Sequence, residues 1–284
     1  MAERLRIAGA RVYDPLNGVD GEVRDLCIAD GRIVASLPPD APTFDARGLV
    51  AFPGGVDIHA HIAGPTVNLA RKLQPEDHRA DPHPRRGPFR SGTGGTVPST
   101  WTTGYRYAAL GYTTVMEAAV APSGARSAHA ELRATPVIDR GLYVLVGNHE
   151  LLLRAIARGE AGLVRDLVAW LVRAAKAYAI KVVNPGGVAV WKSRRGDVRD
   201  LDAEVDGLGV TPRRIVQALA AAATELRLPH PPHIHCTHLG LPGNAAVTLE
   251  TMRAVEGHRA HFTHLQFHAY GGEPGGRPTS RARD

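Results

Sequence analysis

Two histidines one residue apart, His59 and His61, lie in the run Val56-Asp57-Ile58-His59-Ala60-His61-Ile62. Alternate side chains of a strand share a face, so both imidazoles project one way, about 6–7 Å apart along the backbone, while Val56, Ile58, Ala60 and Ile62 face the other. Imidazole nitrogen is a good ligand for zinc, and two neutral imidazoles can share one ion while leaving positions open for water. A bare pair is weak, because a chain with fourteen histidines forms such pairs by chance, and a core or exposed pair is the competing reading. The entry turn Phe52-Pro53-Gly54-Gly55 and the strand pattern around the pair favour a metal site. Three later residues hold equivalent positions. Lys181 sits in Ile180-Lys181-Val182-Val183, where an ammonium is costly unless something pairs with it or changes its charge; an edge strand with Lys181 in solvent is the alternative. His233 and His235 share a strand face, with His235 nearer the end where a site would lie. His264 matches it in Phe262-Thr263-His264-Leu265-Gln266, and His268 follows on the same face. Either of these histidines alone is more often a hydrogen-bonded core residue than a ligand. Four strand-end positions in this order point to a metal centre.

The elements that must position these groups alternate along the chain. Apolar strands are predicted at Gly55–Ile62, Thr113–Ala119, Leu142–Gly147, Ile180–Asn184, His233–Thr237 and His261–Ala269. Between them, Leu151, Leu152, Ile156, Leu163, Leu167, Leu171 and Ala174 recur near helical spacing, with a break at Gly159 or Gly162. Thr211-Pro212 is a cap followed by a first-turn proline, and Ile215, Val216, Leu219 and Leu226 form the buried stripe behind it. Strand and helix in alternation give an α/β fold, an incomplete (β/α)8 TIM-like barrel with about six of eight strands. Residues 1–52 read instead as a small N-terminal β-subdomain: Leu5, Ile7, Ala10 and Val12 alternate with one slip, Asn17-Gly18 turns, and Asp25–Ile28 and Ile33–Leu37 flank Asp30-Gly31. The barrel part is expected over 53–270 and an irregular tail over 271–284. Residues 64–105 form a loop of about forty residues where a βα connection usually takes about 2–6, and loops after barrel strands lie on the chemical face.

Composition excludes several classes. With 44% hydrophobic and 22% charged residues the chain is neither disordered nor fibrous. Its net charge of +6 comes largely from arginines in 71–90 and 277–283 rather than from a continuous basic face, so no nucleic-acid partner is expected. Cys27 and Cys236 are the two cysteines, in separate apolar contexts, which fits a reducing compartment. The start MAERLRIAGARV has charges where a signal peptide needs an apolar core, and no window approaches the roughly 18 apolar residues of a membrane span. A cytoplasmic protein is expected.

The order His-x-His, Lys, His, His on strands one, four, five and six resembles the amidohydrolase superfamily. Residues 63–78 (AGPTVNLARKLQPEDH), 91–105 (SGTGGTVPSTWTTGY), 111–119 (GYTTVMEAA), 181–187 (KVVNPGG), 233–244 (HIHCTHLGLPGN) and 263–272 (THLQFHAYGG) narrow the likeness. Together they resemble the A component of formylmethanofuran dehydrogenase and its bacterial counterpart, the A component of the formyltransferase/hydrolase complex. The resemblance implies two zinc ions: His59 and His61 on one, His235 and His264 on the other, and carbamylated Lys181 bridging them. It implies reversible hydrolysis of an N-formyl amide of methanofuran or an analogue to formate and the free amine, in one-carbon metabolism, within a complex of further subunits. Arg71, Lys72, Arg79, Arg85, Arg86 and Arg90 of the long loop would pair with glutamyl carboxylates of such a carrier, or form a solvated charge run.

One departure stands out. From Gly271 the chain reads GGEPGGRPTSRARD, four glycines, two prolines and three arginines in fourteen residues, which cannot make a core strand and helix. Strands seven and eight are expected to be absent, and with them the family's metal-binding aspartate; Asp57, on the first strand, does not replace it. A truncated or split protein is expected, doubtful in activity alone. The rival readings are an inactive fragment or non-catalytic assembly subunit, and a dihydroorotase- or hydantoinase-type cyclic amidase, against which the loop motifs argue.

Overall fold

The slip in the N-terminal alternation has a structural cause at Gly9. Strand β1 (Arg4–Asp14) pairs antiparallel with β2 (Val19–Ala29), and the register shifts between Ile7 and Ala10. Gly9 takes φ +73°, and its N–H donates to Asp25 Oδ1 at 2.9 Å, the extra residue of a bulge that only a flexible backbone accepts cheaply. A 3-10 turn at Pro15–Asn17 closes on Gly18 in the left-handed region and reverses the chain. Asp30 and Gly31, both at positive φ, carry β2 into β3 (Arg32–Val34), while β4 (Thr43–Asp45) and β5 (Val50–Ala51) run parallel to β1. Ala10, Val12, Val19 and Ala46 form this unit's small core. The computed structural model describes residues 4–65, 67–69, 100–187, 200–205, 207–273 and 276–282. The chain divides into two units, Met1–Gly55 and Val56–Asp284.

The second unit alternates strand and helix: β6 (Gly55–Ala60), α1 (Thr100–Ala109), β7 (Tyr112–Val120), α2 (Ala125–Arg133), β8 (Asp139–Leu145), α3 (Glu150–Ala157), α4 (Ala161–Ala174), β9 (Ala179–Val183), α5 (Pro212–Glu225), β10 (His233–His235), α6 (Asn244–Ala254) and β11 (His261–Phe262). The six strands lie in sequence order in one sheet, and every pairing from β7 to β11 is parallel. This is a curled half-barrel, six strands of a (β/α)8 barrel with its helices. Val144, Ile180, Val182 and Ile234 from the strands bury against Leu152, Val164, Leu171, Ile215 and Leu219 from the helices, each worth roughly 1.5–3 kcal/mol of transfer free energy. The period-two pattern therefore places apolar residues under the helices and leaves the opposite face to polar groups.

Local signals explain the boundaries. Gly159, at φ +72° with open space around it, separates α3 from α4 through its conformation rather than through crowding. Thr211 caps α5, its side chain accepting from Arg214 N. In α1, a Cβ on Gly104 would run into Pro136 O and lie 2.8 Å from Pro136 Cδ, so this glycine lets the helix meet the backbone ahead of β8. G104A is expected to lower stability by about 2 kcal/mol, read from the urea midpoint; an unshifted midpoint would contradict this packing.

Three expectations change. The sixth strand stops at Phe262 instead of reaching Ala269, because His264 takes φ +37° and Leu265–Phe267 turn as a 3-10 helix. The segment read as a loop to residue 105 is already helical at Thr100. The tail read as irregular holds one antiparallel ladder, β12 (Tyr270–Gly271) with β13 (Thr279–Ser280). Arg71, Lys72, Arg79, Arg85, Arg86 and Arg90 lie outside the described residues. No helix among the described residues is long and apolar enough to cross a membrane.

Candidate metal centre

His59 lies in β6 and His61 follows the strand's last residue, Ala60; their rings lie 5.4 Å apart and nearly perpendicular. Each ring is held by its Nδ1. His61 Nδ1 lies 3.2 Å from Glu117 Oε1 on β7, and His59 Nδ1 lies 2.8 Å from His233 Nε2 on β10. Glu117, fully buried, also accepts from the backbone of Ile62 at 2.6 Å, Ala63 at 3.0 Å and Ala119 at 3.2 Å. It fastens the end of β6 to β7 as well as the ring. Asp57 accepts from the backbone N–H of His59 at 2.9 Å through Oδ1 and from Tyr107 O–H at 2.9 Å through Oδ2.

The second group of ligand atoms comes from the end of β10, at His235, and from the turn after β11, where His264 and His268 flank the 3-10 helix Leu265–Phe267. His235, His264 and His268 each offer a nitrogen, all within 4.8 Å of one another. His59 reaches this group through His264, with ring centroids 5.1 Å apart. Lys181 sits beside His233 in the β9–β10 register and is 1% exposed. Its charge acts on His59, His233, His235 and His264. The structure thus brings together His59, His61, Lys181, His235 and His264. Sequence reading did not assign Glu117, His268 or the inner role of His233. Glu117 carried the same signal as Lys181, a lone charged residue in an apolar strand, Val115-Met116-Glu117-Ala118-Ala119.

Electrostatics favour neutral imidazoles. Burial, aided by Lys181 and the neighbouring rings, pushes His59 and His235 down to about 3. Burial likewise lowers His268 to about 4 and Lys181 to about 7. Neutral imidazoles offer the lone pairs a metal requires. Among the described residues, Lys181 Nζ, His264 Nδ1 and both ring nitrogens of His268 are buried without a hydrogen-bond partner. Such groups are costly and call for an explanation. A cation among these donors would supply one for the imidazoles, and the donor set is of a kind that suits zinc. Beside His61 opens a cavity of about 540 Å³ with mainly apolar walls, where Glu117, Asn148 and His149 meet Val120, Leu145 and Val183.

The chain is 46% identical over 272 residues to protein FwdA of Methanocaldococcus jannaschii, covering 92% of this chain and 48% of that protein. It is 41% identical over 270 residues to the A component of the formyltransferase/hydrolase complex Fhc of Methylorubrum extorquens, covering 94% and 48%. The crystal structure of the formyltransferase/hydrolase complex from Methylorubrum extorquens with methylofuran superposes with a TM-score of 0.88 at 40% identity, over 99% of this chain and 51% of that one. The chain therefore spans about half the length of the curated relatives it matches. A dihydroorotase from Anaeromyxobacter sp. (strain K) is 43% identical over 70 residues, 23% of this chain. The match to the amidohydrolase family runs from residue 42 to residue 282 and takes in all six strands of the arc and every histidine of the cluster, so the chain belongs to the amidohydrolase family.

Proposed function

We propose that this chain carries the metal site of a hydrolase that reversibly cleaves the N-formyl amide of a methanofuran-type carrier to formate and the free amine, as one member of a formyl-carrier complex. One observation carries the reading: a buried Lys181, its Nζ unpartnered among the described residues, lies in register with His233 and acts electrostatically on His59, His235 and His264, in a chain 41–46% identical to FwdA and the Fhc A component. In this reading His59 and His61 would hold one zinc ion, and His235 and His264 the second. Lys181 would bridge them as its carbamate: the amine nitrogen adds carbon dioxide and releases a proton, replacing a buried cation with an anion that zinc can neutralise. Zinc bound there supplies Lewis acidity to the formyl carbonyl and a hydrolytic water of near-neutral pKa.

The chain's own residues do the positioning. The apolar walls at Val120, Leu145 and Val183 exclude water beside His61. Asn148 lines the same cavity, held in place by its Nδ2, which donates to Val183 O at 2.6 Å and Asn184 O at 3.3 Å. Glu117 meets a ring of the cluster, and its oxygens already serve His61 and three backbone N–H groups, so the general-base role does not fall to it. Arg71, Lys72, Arg79, Arg85, Arg86 and Arg90 would meet carboxylates of the carrier tail. Replacing them with neutral residues is expected to raise KM at low salt and leave kcat unchanged.

The test is metal loading with turnover. The full chain is expected to hold about two zinc ions and, with its complex partners, to release formate from a formyl carrier until a chelator removes the metal. A chain that takes up no zinc points to an inert assembly role. Turnover of dihydroorotate in preference to a formamide points to a cyclic amidase.

A further inference from the structure

His59 in β6 and His61 just after it share a feature that a metal centre needs and that no spacing reveals: in both, Nδ1 is already engaged. His61 Nδ1 faces Glu117 Oε1 at 3.2 Å, and His59 Nδ1 faces His233 Nε2 at 2.8 Å. His233 in turn faces His230, Nδ1 to Nε2, at 3.1 Å. Three imidazoles thus form one chain, fully buried at His233 and half-buried at His230. Its middle and outer rings are braced: His261 stacks on His233 with centroids 4.6 Å apart, and Tyr143 stacks on His230 at 5.1 Å.

A neutral imidazole has one N–H and one lone pair, so such a chain can order its hydrogens in only two ways. In one, His59 Nδ1–H donates to His233 Nε2, His233 Nδ1–H donates to His230 Nε2, and His59 keeps a lone pair on Nε2. In the other, every hydrogen is reversed and His59 Nε2 carries a proton, which no metal accepts. Glu117 imposes the matching choice on His61, because a carboxylate oxygen accepts and leaves Nε2 of that ring free.

We propose that His233 and Glu117 are positioning residues, which tie down Nδ1 of His59 and His61 so that both rings present Nε2 to one ion, and that the ion selects the hydrogen order of the His59–His233–His230 chain. This rests on the zinc site proposed above. It divides the two histidines of β10: His235 belongs with His264 and His268, whereas His233 acts through His59. Partners of this kind fix ring orientation and tautomer, and losing one costs about 10- to 100-fold in metal affinity.

The experiment compares H233Q, whose side-chain carbonyl can still accept near the place of Nε2, with H233L, which has no acceptor. Zinc affinity of the full chain is measured by competition with a chromophoric chelator, and metal-free folding by circular dichroism. H233L is expected to bind the ion of His59 and His61 about 10- to 100-fold more weakly than the parent, with H233Q close to the parent. Equal affinity in H233L overturns the proposal. So does loss of one whole ion in both variants, since His233 would then itself be a ligand. If H233L does not fold, long-range proton–nitrogen spectra of the zinc-loaded parent decide. Nδ1–H on His59, His61 and His233 is the expected pattern, and Nε2–H on His59 overturns it. A parent that binds no zinc overturns this inference and the proposed function together, while the other results overturn this inference alone.

Discussion

K181A is expected to lose zinc and activity together. Lys181 is buried in the middle of β9, in register with Leu145 on one side and His233 on the other, and its Nζ meets no partner among the described residues. An ammonium left there bare is a liability, and a bridging carbamate would turn it into the link between two ions. Without it, zinc content is expected to fall from about two ions per chain toward one or none. Formate release should fall by about 10³-fold, the several kcal/mol that bound metal contributes to the transition state. A small carboxylate such as acetate, supplied with zinc, is expected to enter the vacated space and restore part of both. K181M separates metal binding from folding, because the methionine fills the same space without charge. The metal-free K181M chain should be more stable than the metal-free parent, by about 1–3 kcal/mol in urea melts. Full zinc content and turnover in K181A would remove Lys181 from the site.

The second large effect lies at Glu117. Its Oε2 accepts the backbone N–H groups of Ile62 and Ala63, both in the buried stretch after β6, and its Oε1 serves Ala119 N and His61 Nδ1. Leucine fills a similar volume yet accepts nothing, so E117L strips these buried donors of this acceptor. The expected loss is about 3 kcal/mol, measured by denaturant unfolding of the metal-free chain. E117Q keeps one accepting oxygen and should lose about half as much. A loss below about 1 kcal/mol in E117L would mean that water or another group already serves these N–H groups.

Much of the frame was legible because it depends on local periodicity. Alternation in Val56–Ile62 placed His59 and His61 on one face before any contact was known, and a strand followed by a capped helix at Thr211-Pro212 needs no distant partner to be recognised. The sixth strand was misjudged for a related reason. The stretch from His261 to Ala269 has strand-like composition, but His264 is held in a left-handed conformation and the chain turns at once into Leu265–Phe267. That turn brings His268 back against His235 and His264, where continued alternation would have carried it along the strand.

What the sequence by itself determined here is the order of strands and helices and which side chains share a face, since both follow from the periods of 2.0 and 3.6 residues along one segment. The tertiary structure decided the partners. Glu117 meets His61 across 56 positions and His233 meets His59 across 174, and curling of the sheet brings His59 beside His264. No local period encodes contacts between segments so far apart. They exist because the twisted parallel sheet, covered by helices on one side, curls in this chain, and the face left inside holds the buried lysine, the glutamate and the histidines against one another.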